Sequence, residues 1–107
     1  MSERRNPGVV EISFRYSRYA EPGIHGGVTL KFDSMQPYSF VSRAQWPDSD
    51  NYEAAIREAV EQVLLERQGH IKSTRVVLER IEWDSINSCE RGFRRAATAA
   101  TRAAFEV

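Results

Sequence analysis

Arginine is the residue type with the clearest chemical potential in this 107-residue sequence, where it outnumbers lysine by 13 to two. Four arginines lie close together near the C-terminal end: Arg91, Arg94, Arg95 and Arg102. At about 100° per residue they gather on one side of a helix. The planar guanidinium pairs with phosphate and stacks on bases, so this side could face RNA. The alternative is that the arginines only solvate the outer side of the helix.

Histidine and cysteine do not indicate an enzyme. His25 and His70 are not spaced to converge with a carboxylate on a metal ion, so we expect them to be exposed structural histidines. The single cysteine, Cys89, lies on an apolar stripe and is expected in the core; its place near a helix start leaves a nucleophilic role open. Neither lysine follows a glycine, as a phosphate-binding loop requires. We therefore expect no catalytic residue, no metal and no cofactor.

The composition indicates one globular domain. Lys+Arg and Asp+Glu both number 15, and this zero net charge excludes a protein that binds nucleic acid by bulk charge alone. Apolar runs fall well short of the roughly 20 residues that a membrane span needs, and no apolar segment follows the first residues as in a signal peptide. We expect a cytoplasmic protein, with a flexible tail at 1–8 and a single domain at 9–107.

Three strands are expected in the first half of the chain. Apolar and polar residues alternate from Val10 to about Tyr19 and from Val28 to Asp33, which is typical of half-buried strands. The glycine- and proline-rich stretch 21–27 predicts a loop between them. A third strand is expected over 38–46, and the short connections favour an antiparallel meander.

The second half of the chain predicts a helix, a strand and a helix. The acidic cluster 47–50 can start a helix that ends at Gly69. Its apolar face consists of Ala55, Ile56, Ala59, Val60, Val63 and Leu64. A fourth strand is expected over 74–83, and a last helix over 88–105. The apolar stripe of that helix consists of Cys89, Phe93, Ala96, Ala97, Ala100 and Ala104. The order β-β-β-α-β-α predicts a two-layer α+β fold, a mostly antiparallel four-stranded sheet with both helices on one face.

The outer face of this sheet is a second candidate surface. Arg15 and Lys31 fall on it beside Ser13, Thr29 and Arg43, a polar and mildly basic set. Such faces bind RNA or a protein partner in some folds, and plain solvation is the alternative.

Several segments, read in order, carry a family resemblance. They are the strand 10–19, the glycine-rich Gly23–Gly27, the strand Val28–Phe32, the short Tyr38–Val41, the helical Tyr52–Gln62, and Val76–Phe105. Within the last segment, Ser88–Phe93 stands where the family has a helix start of serine, glutamate and phenylalanine. Together they resemble domain IV of translation elongation factor G, which reaches into the ribosomal decoding site. The resemblance covers about residues 9–107. It implies a fold shared with a small-subunit ribosomal protein and the ribonuclease P protein, including a left-handed β-α-β crossover where general topology favours the right-handed one.

The resemblance also implies two tip loops that shape an RNA contact. Their residues are Gly23, His25 and Gly26 in the first loop, and Asp84, Ser85 and Asn87 in the second. The second loop is shorter than the family's and lacks its tip histidine, and 46–50 replace a glycine- and proline-rich lead into the first helix. The GTPase domain of the family has no counterpart in this sequence, so neither GTP hydrolysis nor translocation is expected.

These observations predict a non-enzymatic, domain-IV-like protein that acts in translation by contacting ribosomal or other structured RNA. The residues expected to contact RNA are Arg91, Arg94, Arg95, Arg102, Arg15 and Lys31. The alternative is a protein-interaction module or homo-oligomer that keeps the fold without binding RNA, and the zero net charge and short second loop favour it. A small hydrolase is a third class, supported only by two histidines and one cysteine.

Overall fold

The computed structural model describes residues 10–18, 23–33, 38–47, 51–66, 74–83 and 88–105. The elements in this part of the chain are β1 (Val10–Arg18), β2 (Ile24–Asp33), β3 (Ser39–Ser42), α1 (Glu53–Glu66), β4 (Arg75–Glu82) and α2 (Glu90–Phe105). This confirms the predicted order of strands and helices. The expected tail at 1–8 lies outside the described residues.

The sheet has the strand order β1-β2-β4-β3. β1 pairs with β2 and β2 with β4 in antiparallel fashion, whereas β3 pairs parallel to β4. The expected meander was therefore wrong, because β4 lies between β2 and β3. Val76, Val77 and Leu78 of β4 are at most 2% exposed, in keeping with an interior strand that is paired on both sides. α1 connects β3 to β4 as a parallel crossover, for which the family resemblance predicts a left-handed sense.

Two strand boundaries differ from the sequence prediction. The stretch Ile24–Gly27 was expected to be a loop, but it forms the start of β2 and pairs with β1 from Arg18 to Arg15. The third strand was expected over 38–46, yet regular pairing ends at Ser42. Beyond it, the backbone N–H of Arg43 still donates to the carbonyl of Leu78.

A bulge in β4 keeps its polar and apolar residues on the correct faces. The pairing with β2 shifts between Thr29 and Leu30, which face Arg80 and Leu78, so Glu79 is the extra residue. A one-residue shift reverses the alternation of the strand. Because of this shift, Ile81 packs against the core, while Arg80 remains on the outer face, where it pairs with a carboxylate.

Both helices pack on the same face of the sheet. Their buried apolar residues form one core with Val28, Leu30, Phe32, Val76 and Leu78 of the sheet. The predicted apolar faces of both helices are buried as expected, except at Cys89, which precedes α2 and is only half-buried. The side chain of Asn51 caps α1 by accepting a hydrogen bond from the Glu53 N–H at 2.9 Å. The expected cap residues 48–50 lie outside the described residues, as does Gly69.

Gly26 of β2 and Gly92 of α2 allow the helix to approach the strand closely. A Cβ atom built on Gly92 would lie 2.3 Å from the carbonyl oxygen of His25, and one built on Gly26 would lie 2.4 Å from the backbone of Gly92. The N–H of Cys89 donates to the same His25 carbonyl at 3.3 Å. The absence of side chains at both glycines therefore sets the position of the N-terminal turn of α2.

Candidate nucleic-acid interface on β1 and α2

The buried stripe of α2 determines where its arginines lie. Ala96, Ala97 and Ala100 are fully buried, which turns the opposite side of the helix outward. Arg91, Arg95 and Arg102 are exposed there, and Arg94 is half-buried. The structure therefore places the four predicted arginines on the outer side of one helix.

An open groove of about 360 Å³ runs between β1 and α2. It is lined by Phe14, Tyr16, Arg94, Arg95, Thr98, Ala99 and Arg102. Within the described ranges, the lining thus combines three guanidinium groups with two aromatic rings and contains no carboxylate. Phe14 is 39% exposed although it points to the helix side of the sheet, because α2 covers the edge strand only partly. We call this the β1–α2 groove.

Arg95 and Tyr16 meet within the groove. The guanidinium carbon of Arg95 lies 5.1 Å from the centre of the Tyr16 ring, a distance typical of a cation–π interaction. The Arg95 Nη1 atom is also 3.5 Å from the Tyr16 hydroxyl, at the outer limit of a hydrogen bond. This contact holds the Arg95 side chain over β1, and no carboxylate in the described part of the chain pairs with it.

Arg94 and Arg102 instead form ion pairs with α1. Arg94 contacts Glu58 at 2.8 Å and Glu90 of its own helix at 2.7 Å, and Arg102 lies 3.6 Å from Glu66. Hydrogen bonds to Glu58 and Glu90 raise the pKa of Arg94 above its usual value. Since all these side chains are at least 39% exposed, such pairs stabilise the fold by about 1 kcal/mol or less each and can be exchanged for other anions.

The outer face of the sheet is balanced in charge rather than basic. Arg15 lies 3.4 Å from Glu82, and Arg43 lies 3.7 Å from Glu79. Lys31 is half-buried. The remaining predicted residues of this face, Ser13 and Thr29, share a hydrogen bond of 2.8 Å, and Thr29 is buried. The structure therefore does not bring Arg15 and Lys31 together with the arginines of α2 into one basic surface.

The first tip loop was wrongly placed. His25 and Gly26 belong to β2, and His25 is 6% exposed rather than an exposed loop histidine. Its Nδ1 atom lies 2.9 Å from the Ser17 hydroxyl, with which it shares a hydrogen bond. Gly23 directly precedes β2. The second loop, with Asp84, Ser85 and Asn87, lies outside the described residues, and so does His70.

An aromatic cluster around Phe93 was missed by the sequence analysis. Phe93 is fully buried, and its ring centre lies 5.1 Å from Trp46, 5.6 Å from Tyr52 and 6.4 Å from Trp83. The Trp46 indole N–H donates to Glu53 at 3.1 Å, which fixes the entry into α1. Tyr52 directly precedes α1 and Trp83 directly follows β4, and these positions next to regular elements are the signal that could have revealed the cluster.

Neither a metal centre nor a membrane span is found in the described part of the chain. No group of three or more metal-ligating side chains forms within these ranges. None of the helices described is both long and apolar enough to cross a membrane.

Comparisons with known proteins identify the fold but not a family. No protein-family model matches the sequence, and a search of curated proteins finds no match. Among solved structures, the chain resembles a crystal structure of a protein from Thermus thermophilus, with a TM-score of 0.79 and 19% sequence identity. The match covers 90% of this chain but only 15% of the Thermus protein. The chain thus shares the fold of a short segment within a much longer protein.

Proposed function

We propose that this chain is a non-enzymatic RNA-binding domain similar to domain IV of elongation factor G, with the β1–α2 groove as its contact surface. The observation that carries this proposal is the lining of the groove: among the described residues it contains three arginines, Phe14 and Tyr16, and no acidic residue. Guanidinium groups bind phosphates, and exposed aromatic rings stack on unpaired bases. This pairing of residue types is the usual one in proteins that recognise single-stranded loops in structured RNA.

The zero net charge of the chain is compatible with this function because the acidic partners of Arg94 and Arg102 on α1 are exposed side chains that a phosphate can replace. Glu58, Glu61 and Glu66 lie together on α1, where they line a groove of their own, while the arginines line the β1–α2 groove. An RNA phosphate that approaches Arg102 competes with an exposed carboxylate 3.6 Å away. We therefore expect modest affinity that falls steeply with salt.

The test is binding of purified ribosomes and of a labelled RNA stem-loop across a salt titration. The variant Arg95→Ala/Arg102→Ala removes two groove arginines, and the matched control Arg43→Ala/Arg57→Ala removes two exposed arginines elsewhere. Each lost phosphate contact should lower the slope of log K against log salt by about 0.7–0.9. We expect the groove variant to lose about 1.5 from this slope and the control variant to keep it. Equal losses in both variants, or no binding by the wild-type chain at low salt, would refute the proposal.

The groove also predicts a contribution from stacking. Phe14→Ala removes an aromatic ring that is 39% exposed, so it should cost less stability than the loss of a fully buried ring. If an RNA base stacks on this ring, the variant should weaken binding by about 1–3 kcal/mol without changing the salt slope. An unchanged affinity would leave the groove with phosphate contacts only.

A protein-interaction function is the second candidate. One observation favours it: β1 lies at the edge of the sheet, and both Val10 and Phe14 on this strand are more than a third exposed. Exposed edge strands with apolar residues pair readily with other strands.

A further inference from the structure

β1 is an edge strand of the described sheet and is long for such a strand. It contains nine residues, and β2 is its only neighbouring strand in the described part of the sheet. β3, the opposite edge strand, has four residues. Val10 and Phe14, which point to the helix side, are 38% and 39% exposed. Long edge strands with exposed apolar residues are normally covered.

We propose that β1 pairs with β1 of a second copy of this chain in antiparallel fashion, about a twofold axis, so that the two sheets become one. This self-association does not depend on RNA binding. The consequence drawn below for the two grooves rests on the proposed function.

The residues of β1 specify the register of this pairing. The helices of both copies lie on the same face of the joined sheet only if helix-side residues of one β1 pair with helix-side residues of the other, and outer-face residues with outer-face residues. Centring the pair on Ser13 places Glu11 opposite the partner's Arg15, and Ile12 opposite the partner's Phe14. By symmetry, the opposite-charge pair occurs twice. Centring on Phe14 instead would place Glu11 opposite the partner's Ser17 and would form no ion pair.

The existing ion pairs on the outer face leave room for the new ones. Arg15 and Glu82 are 61% and 59% exposed and lie 3.4 Å apart. Glu11 and Arg80 are 52% and 67% exposed and lie 3.9 Å apart. The outer face of the paired sheet would carry a row of alternating positive and negative charges, formed by Arg80, Glu11, the partner's Arg15 and the partner's Glu82. Opposite charges across paired strands stabilise the pairing.

Pairing through β1 would also join the two β1–α2 grooves. α2 packs over β1 and β2 on the helix side, so the two α2 helices would flank the twofold axis. Phe14 and the partner's Phe14 would then form the floor between two walls of arginines. If the groove binds RNA, the paired form would present twice the number of arginines to one strand.

The first experiment is sedimentation of the full chain without RNA over a concentration series. We expect a reversible increase from the 12.3 kDa of one chain to twice that mass. Arg15→Glu should weaken the association about tenfold, because two attractive contacts become repulsive. Glu11→Arg/Arg15→Glu should restore it. Arg57→Glu is the matched control, since Arg57 is 56% exposed and lies 3.8 Å from Glu61. A monomer at all concentrations, or an equal effect of Arg57→Glu, would overturn the proposal.

A cross-linking experiment tests the register even if the charge variants do not fold. In a Cys89→Ser background, Ser13→Cys places two thiols directly opposite each other, at the distance of about 4.5–5.5 Å between Cα atoms that suits a disulfide. Arg15→Cys is the control, because its own copy would lie four positions away, about 13 Å. Oxidation should link Ser13→Cys chains and leave Arg15→Cys chains single. Linkage at both positions or at neither would overturn the register and the pairing.

Discussion

The contact between Gly92 and β2 makes a specific prediction for Gly92→Ala. Gly92 lies in the first turn of α2. In an ordinary helix, replacing glycine by alanine stabilises the protein by about 0.8–1 kcal/mol. Here the new Cβ would lie 2.3 Å from the His25 carbonyl oxygen and 2.9 Å from the N atom of Gly26. Because these are backbone atoms in a paired strand, no side-chain rotation relieves the clash.

The size of the effect follows from the displacement that is required. Ordinary contacts of a methyl group lie about 3.5–4.0 Å away, so α2 must move by roughly 1 Å or more relative to β2. Overpacking of this kind costs about 1–3 kcal/mol or more. The movement also disturbs the hydrogen bond from the Cys89 N–H to the His25 carbonyl, worth about 0.5–1.5 kcal/mol. After subtraction of the helix propensity, we expect Gly92→Ala to destabilise the protein by about 1–3 kcal/mol.

The assay is urea unfolding followed by far-ultraviolet circular dichroism. Ala103→Gly is the control, because Ala103 is exposed on the same helix and should cost only its propensity, about 1 kcal/mol. Gly26→Ala should destabilise the protein as Gly92→Ala does, since it meets the same contact from the other side. If Gly92→Ala raised the free energy of unfolding, the close approach of α2 to β2 would be disproved.

Two further predictions concern hydrogen bonds to α1. Burial, together with the hydrogen bond that Tyr38 donates to Glu61 at 2.6 Å, raises the pKa of Tyr38 above its ordinary value of 10.0. The resulting stabilisation is complete below pH 10 and is lost as the pH rises toward the folded-state pKa. Above pH 10, the free energy of unfolding in urea should therefore depend less on pH for Tyr38→Phe than for the wild-type chain. Glu53 accepts hydrogen bonds from the Ser42 hydroxyl at 2.5 Å and from Trp46. Glu53→Ala should therefore lower the free energy of unfolding by about 1–3 kcal/mol, and an unchanged unfolding midpoint would contradict this role.

The elements that depend on local patterns were predictable from the sequence. The buried faces of α1 and α2 follow from residues such as Ile56, Val60 and Ala97, because a helix repeats about every 3.6 residues whatever it packs against. The arginines of α2 were located for the same reason. The open side of the groove at Phe14 was not predictable, since it depends on how far α2 extends over β1.

The features that depend on distant parts of the chain were not predictable. Gly26 in a glycine-rich stretch suits a turn as well as a close contact, and only the position of Gly92 decides between them. One of the two acidic partners of Arg94, Glu58, lies 36 residues away, so the full charge balance of the arginines could not be seen in the helix alone. The position of β4 between β2 and β3 is likewise a long-range choice.

The strand order has a consequence for how the chain is synthesised. The centre of the sheet is filled by β4, the last described strand in sequence, and the core is closed by α2, which follows it. Until both have left the ribosome, the β1–β2 hairpin exposes Leu30 and Phe32, which are at most 3% exposed in the finished fold. Contacts between distant segments form late and slowly. A chain that stops before α2 is therefore an aggregation-prone fragment and not a smaller domain.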